Sequence, residues 1–492
     1  MTSDGQPTSV AVIALGRPTF DLTLGADRVI EALDVLERSV ATVEGAEMLR
    51  QAIIDGAGIV LDDHALSIDD TIDAARRGDA DAIVVLQATF ADARTVIALA
   101  ERSGVPVVVW SFPEDRTGER LRLNSLCGAN LAAYSLRRRH HPAAFVHLDP
   151  TDADASARLR HTFSTIRSEP TEPQQLASTV DGAADCRATA RRVIDGLADT
   201  VVGVVGDPPD GFEPCSGDAA EIRSTLGVRV EHQRLDSLFS AANHATADTV
   251  AAVTERIRRT LDVCPGVTEQ GMNESVRLYA GLRAIGSARG WGALSTRCWP
   301  ECMTEFGGAV CTPQAMLTED GVPAVCEADV LGSITALMLQ RLTGTDPFIA
   351  DLVDVDPTDN TSVLWHCGVA SSNLAAGHRE GVLHPNRQKA LVSQFALKPG
   401  RVTVARLSQS GCANHGFQMV IGAGEMLDRP RSFSGTSGVI RWDRPATSVI
   451  GTVLDAGIEH HLGVAYGDHR EHLVAIAGEW GLPVVELGVE RR

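Results

Sequence analysis

The sequence predicts two consecutive doubly wound α/β units followed by a β-rich, barrel-like C-terminal domain. Three observations carry this. Apolar strands alternate with helical-period segments from residue 9 onward, the rhythm of parallel sheets covered on both faces. That rhythm starts again after a basic run, RRRHHP at 137–142. Beyond residue 345 the helices give way to short strands separated by Gly, Pro and Asn turns.

In the first unit SVAVIAL reads as a strand and ADRVIEALDVLERSV as a helix. DAIVVLQ is a buried-type strand, and ARTVIALAERSG is a helix that stops at Gly104. VPVVVWSF and GANLAAYSLRRR continue the alternation. These define a domain at 1–142. A second, at 143–322, opens on the strand AAFVHLD and continues through TVVGVVGD, a polar helix near 244–262, the helix SVRLYAGLRAIGSARG and the strand WGALSTRCW. A third, at 323–492, starts with VPAVCEAD and the helix LGSITALMLQRLTG. SVLWHCG, KALVSQFAL, RVTVARLSQ and GFQMVIGAG follow as strands, and the helix DHREHLVAIAGEWG leads into LPVVEL.

With 492 residues, several domains are required, and 44% hydrophobic content fills ordinary cores. A formal net charge of −20 argues against nucleic acid, whose phosphates need a basic surface. The basic residues are nearly all Arg, with Lys only at 389 and 398, a pattern ascribed to codon bias. No apolar run approaches the roughly 20 residues that span a bilayer. The N-terminus MTSDGQPTSVAVIALG lacks the cationic segment of a signal peptide. A cytoplasmic protein with reduced thiols is therefore expected.

Two regions hold chemistry-bearing residues at high density. EHHLGVAYGDHREH collects His460, His461, His469 and His472, four of only fifteen histidines. RCWPECMTEFGGAVC follows a strand, so it stands at the carboxyl end of a sheet, where α/β proteins bind ligands. It offers Glu301, Glu305 and the thiols of Cys298, Cys302 and Cys311, although CxxxC lacks zinc-knuckle spacing. The next strand ends in CEAD. There Glu327 is the more interior carboxylate and Asp329 stands at the tip. Glu305, Asp329 and one imidazole would form an O,O,N donor set suited to Mn²⁺, Mg²⁺ or Fe²⁺.

CWPECMTEFGG, VCEADVLGSITALML and HHLGVAYGDHREHLVAIAGEWGLPVVEL together resemble the metal-site segments of the L-fucose isomerase family. That family joins a Glu, an Asp 24 positions later and a His followed six residues on by Gly; 329 − 305 = 24 and 467 − 461 = 6 match it. The resemblance implies a metal-dependent aldose–ketose isomerase working through an enediol(ate) on a 6-deoxy or 6-substituted hexose, with sulfoquinovose among the sugars. It implies Glu305, Asp329 and His461 as metal ligands, with Glu305 and Asp329 as the catalytic pair. It implies Mn²⁺ or another divalent ion such as Mg²⁺, Co²⁺ or Fe²⁺, and a homohexamer. His460 stands where the family has a substrate-contacting asparagine.

Further substrate-contact candidates are Arg17, Trp110, Asn124, Trp299 and His366, with Arg17 proposed to act across a subunit interface. Arg17, Arg116 and Arg297 are the candidate donors to a sulfonate. A metal-dependent epimerase or lyase, or a sugar-binding protein without catalysis, is the alternative reading.

Overall fold

The computed structural model describes residues 7–56, 58–61, 69, 72–73, 79–167, 183–409 and 416–489. The first sheet runs Thr42–Glu44, Ser9–Gly16, Ala82–Gln87, Val107–Ser111 and Ala143–His147, all parallel, with Val60–Leu61 also on Ser9–Gly16. Both of its faces are buried, as an all-parallel sheet requires. Val10, Val12 and Ala14 join one core and Ala11, Ile13 and Leu15 the other. Helix Leu22–Ser39 starts at Asp21, whose side chain accepts from the Leu24 N–H. Helix Arg94–Ser103 stops at Gly104, which takes the left-handed conformation. The strand AAFVH, expected to open the second unit, instead closes the first sheet against Val107–Ser111.

The second sheet is also parallel, in the order Ala324–Cys326, Trp291–Thr296, Val201–Val205 and Arg229–Gln233. The strand from VPAVCEAD therefore belongs here and not to the β-rich region.

The third sheet has ten strands and is largely antiparallel. Six of them close on themselves: Phe417–Met426, Gly400–Gln409, His461–Tyr466, Phe348–Asp356, Thr361–His366 and Thr436–Trp442, which returns to Phe417–Met426. Closure removes the open edges of these strands. Beyond Thr436–Trp442 the sheet continues through Val392–Ala396 and Glu380–Val382 to Asp262–Val263 of the second unit. Three barrel strands, Phe348–Asp356, Thr436–Trp442 and His461–Tyr466, escape the sequence reading. Phe348–Asp356 carries three aspartates in FIADLVDVD yet is buried along nearly its whole length.

No helix among the described residues is long and apolar enough to cross a membrane. None of the nine described cysteines is in a disulfide.

Candidate active site

The carboxyl edge of the second sheet faces the barrel, and a cavity lies between them, lined on its third side by the first unit. Glu327 enters from the end of Ala324–Cys326. It and Ala328 have φ of 60° and 56°, left-handed values rare for residues with a side chain and concentrated at functional sites. This turn swings the Glu327 carboxylate into the cavity and leaves Ala328 in the core. Its Oε1 accepts from Trp299 Nε1 at 2.9 Å, and its Oε2 is 3.0 Å from His460 Nε2. Burial pushes the carboxyl up, but His460, His461 and Trp299 outweigh it and hold it down at about 2.

Asp351 and His461 face one another across paired antiparallel strands. His461 Nε2 lies 3.6 Å from Glu327 Oε2 and 3.8 Å from Asp351 Oδ1. Both His461 Nε2 and Asp351 Oδ1 are buried without a hydrogen-bond partner among the described residues. Burial pushes the Asp351 carboxyl up. His461 Nε2 thus lies within 4 Å of two carboxylates, and that nitrogen and Asp351 Oδ1 are the two unsatisfied donor atoms. The set fits a hard divalent ion.

Asp329 has a different place. Its Oδ2 accepts from Arg406 Nη1 at 2.6 Å and lies 2.8 Å from His461 Nδ1. Its Oδ1 accepts from Arg406 Nη2 at 2.9 Å and from the Gly332 N–H at 2.8 Å, capping helix Val330–Thr343. Burial opposes its ionisation, yet Arg406 and His461 hold the carboxyl well below the usual range. Fully engaged, Asp329 fixes the ring of His461 and leaves Nε2 as the free nitrogen. That is the outer half of a carboxylate–histidine–metal arrangement. Arg406 also approaches Glu459 Oε2 at 3.9 Å, and Glu459 Oε1 accepts from the Gln409 N–H.

The structure does not bring Glu305, Asp329 and His461 together as one donor set, as had been expected. Glu305 sits on a π-helical turn, Cys302–Phe306, that buries Cys302 and Met303 and turns Glu305 out to solvent. It lines an outer hollow with Asp207, Arg234 and Asp236. Asp329 backs the imidazole instead of joining it. The carboxylate that stands near His461 Nε2 and was passed over in the sequence is Asp351, and a signal for it exists: 351 − 327 = 24, the same separation as 329 − 305.

Of the other expected contacts, His460, Arg17, Asn124, Trp299 and His366 all line the cavity. Arg17 does so within its own chain. Trp110 does not: it is fully buried in the first unit's core and donates to the Leu148 carbonyl. Asn124 has φ of 48° and a buried Oδ1 without a partner among the described residues. Sequence reading passed over Arg387, whose guanidinium lies 4.5 Å from the Trp299 ring centroid, as Arg17's does at 5.0 Å. Arg116 and Arg297 are engaged elsewhere. Arg116 donates to Asp354 and Thr361, and Arg297 to both oxygens of Glu301. His469 and His472 sit at and just inside the start of helix Arg470–Trp480, outside the cavity.

A family model described as "Fucose/sulfoquinovose isomerase, N-terminal domain" matches residues 11–167. A sulfoquinovose isomerase of Alkalicoccus urumqiensis is 30% identical over 83% of this chain and 86% of its own. One from Priestia megaterium is 28% identical over 96% of this chain and 97% of its own. One from Clostridium sp. (strain MSTE9) is 31% identical over 80% and 83%. A buried cavity with paired carboxylates and imidazoles, together with these relatives, defines a sugar-processing isomerase. The chain belongs to the fucose/sulfoquinovose isomerase family.

Proposed function

We propose that this isomerase interconverts the aldose and ketose forms of a hexose with a sulfonate at C6, sulfoquinovose, with Glu327, Asp351 and His461 holding a divalent cation. The observation that carries the reading is that His461 Nε2 lies within 4 Å of both carboxylates, with it and Asp351 Oδ1 unsatisfied among the described residues. A divalent ion bound there would polarise the sugar carbonyl and offset the negative charge of an enediolate. Glu327 and Asp351 both flank His461, so one of them would take the proton from C2 to give the enediolate, and a proton would then be returned to C1. Trp299 and His460 orient Glu327 through hydrogen bonds, and Asp329 orients His461.

The sulfonate is matched by Arg387 and by Arg17, whose Nη2 also donates to Asp92 at 3.0 Å, two guanidiniums gathered at the Trp299 ring. Asn124, with its unsatisfied Oδ1, accepts from a sugar hydroxyl. Manganese as the native ion, a hexameric assembly and a cytoplasmic setting belong to the same reading, supported by the family resemblance.

The test is isomerisation of sulfoquinovose, D-glucose, L-fucose and L-arabinose after EDTA treatment and again with Mn²⁺ restored. Sulfoquinovose turnover that needs the ion and disappears in Asp351→Asn is expected. Turnover in EDTA, or only of uncharged sugars, overturns the corresponding part.

A further inference from the structure

A second donor set of opposite chemical character lies in the wall of the same cavity. Cys311 opens helix Cys311–Glu319, Cys367 follows strand Thr361–His366, and His384 follows strand Glu380–Val382. The donor atoms of these three buried residues all lie within 4.8 Å of one another, and the two sulfurs are 3.5 Å apart. Cys326, at the end of Ala324–Cys326, brings a third thiol within 4.8 Å of Cys367. Sequence spacing could not reveal the group, because its members come from four separate segments. Cys302, which CxxxC had suggested, points elsewhere and donates to the Arg297 carbonyl.

His366 is also near, but its Nδ1 already accepts from the Cys367 N–H at 2.8 Å. His384 Nδ1 accepts only a long 3.3 Å bond from the Asn386 N–H, which costs little to give up. His384 is therefore the imidazole able to change tautomer and coordinate.

We propose that Cys311, Cys326, Cys367 and His384 form a site for a thiophilic d¹⁰ cation, Zn²⁺ or Cd²⁺, separate from the oxygen-rich set of Glu327, Asp351 and His461. Three thiols and one imidazole are a standard tetrahedral set for such ions, whereas carboxylates select harder ones. Coordination converts the three thiols to thiolates, so three protons leave as the cation enters, and nothing is oxidised or reduced. All four residues line the sugar cavity, so an ion there stands in the substrate's way. The cation inhibits turnover without displacing the ion on the oxygen donors.

The experiment uses the full chain, reduced, stripped with EDTA and then saturated with Mn²⁺. Cd²⁺ is titrated in, and the ultraviolet thiolate-to-cadmium charge-transfer band is read, a signal that carboxylate donors do not give. One equivalent should saturate the band, release protons and inhibit turnover. Cys367→Ser should weaken Cd²⁺ binding by about tenfold or more, and Cys311→Ser with Cys367→Ser should abolish the band. Should the double variant fail to fold, Cys311→Ser alone supplies the comparison, as a weaker band and a lower affinity. Asp351→Asn should keep the band, which separates this site from the Mn²⁺ reading. Absence of the band in folded, reduced protein overturns the proposal. So does a band that survives the double variant, or a Cys311–Cys367 disulfide persisting after reduction.

Discussion

His461 lies directly opposite Asp351 on the neighbouring barrel strand, with its Nε2 3.8 Å from Asp351 Oδ1. The register of two strands, and not a loop, thus sets the distance between an imidazole and a carboxylate. Strand positions are held more tightly than loop positions. Asp351→Asn keeps the shape and removes the charge. We expect kcat/KM to fall about a thousandfold, about 4 kcal/mol of transition-state stabilisation, with an unchanged melting profile. Glu305→Gln, altered at an exposed carboxylate, should stay within about twofold of the parent chain. Parallel kinetics on the two variants decide between the carboxylate pairs, and a thousandfold loss in Glu305→Gln would reverse the assignment.

Arg406 and Asp329 form a two-bond pair buried from solvent. Arg406→Met leaves a charged Asp329 with no cation beside it. A loss of about 3–5 kcal/mol in unfolding free energy is expected. The double change Arg406→Met with Asp329→Asn should recover part of it, because the stranded charge is gone. Urea unfolding of the three variants tests this, and additive losses would refute the coupling.

Arg17 and Arg387 give a prediction about specificity. Arg387→Leu should raise KM for a sulfonated hexose about tenfold or more, about 1.4 kcal/mol, and leave an uncharged hexose nearly unaffected. Equal changes for both sugars would mean that Arg387 packs against Trp299 without reading charge.

His147 makes the first unit sensitive to acid. Burial lowers its pKa from 6.5 to about 4, with Arg158 adding to the effect. The depressed folded value means that the fold prefers the neutral ring. Its contribution is complete above about pH 6.5 and drains away as pH falls towards 4. The ring's Nδ1 lies 3.0 Å from Ser111 Oγ, so His147→Asn retains a polar partner without the titration. Melting temperature followed from pH 7 to 4 should decline less steeply in that variant. An unchanged slope would locate the acid sensitivity elsewhere.

Much of the architecture could be read from the chain because parallel strands are long apolar runs and helices announce their ends. Gly104 and Gly344 stop helices as expected, and TVVGVVGD falls on Val201–Val205. Phe348–Asp356 was illegible for a physical reason: its aspartates read as solvent-facing. In the barrel Asp351 faces the cavity, and Asp354 finds Arg116 from a distant segment. The site failed at the same point. Two Glu–Asp pairs with 24-residue spacing overlap in this sequence, and spacing alone favours neither. What distinguishes the pairs is the left-handed turn at Glu327, which aims that side chain inward, and the π-helical turn that aims Glu305 outward. The imidazoles were easier to find, since His460 and His461 are adjacent at the start of a strand.

The sheet that leaves the barrel through Val392–Ala396 and Glu380–Val382 ends on Asp262–Val263, where Asp262 N–H donates to the Arg379 carbonyl and Cys264 N–H to the Gly381 carbonyl, each at 2.9 Å. Glu327 and His461 thus belong to two bodies stitched by main-chain bonds, and a hinge between them would have to tear that seam. Stiffness of this kind holds Glu327 and His461 at a set spacing. The remaining wall, which carries Arg17 and Asn124, is fastened to the barrel as well, by main-chain bonds from the Gly118 N–H to the Ser432 carbonyl and from the Ser434 N–H to the Glu119 carbonyl. The frame around the cavity is thus braced on every side.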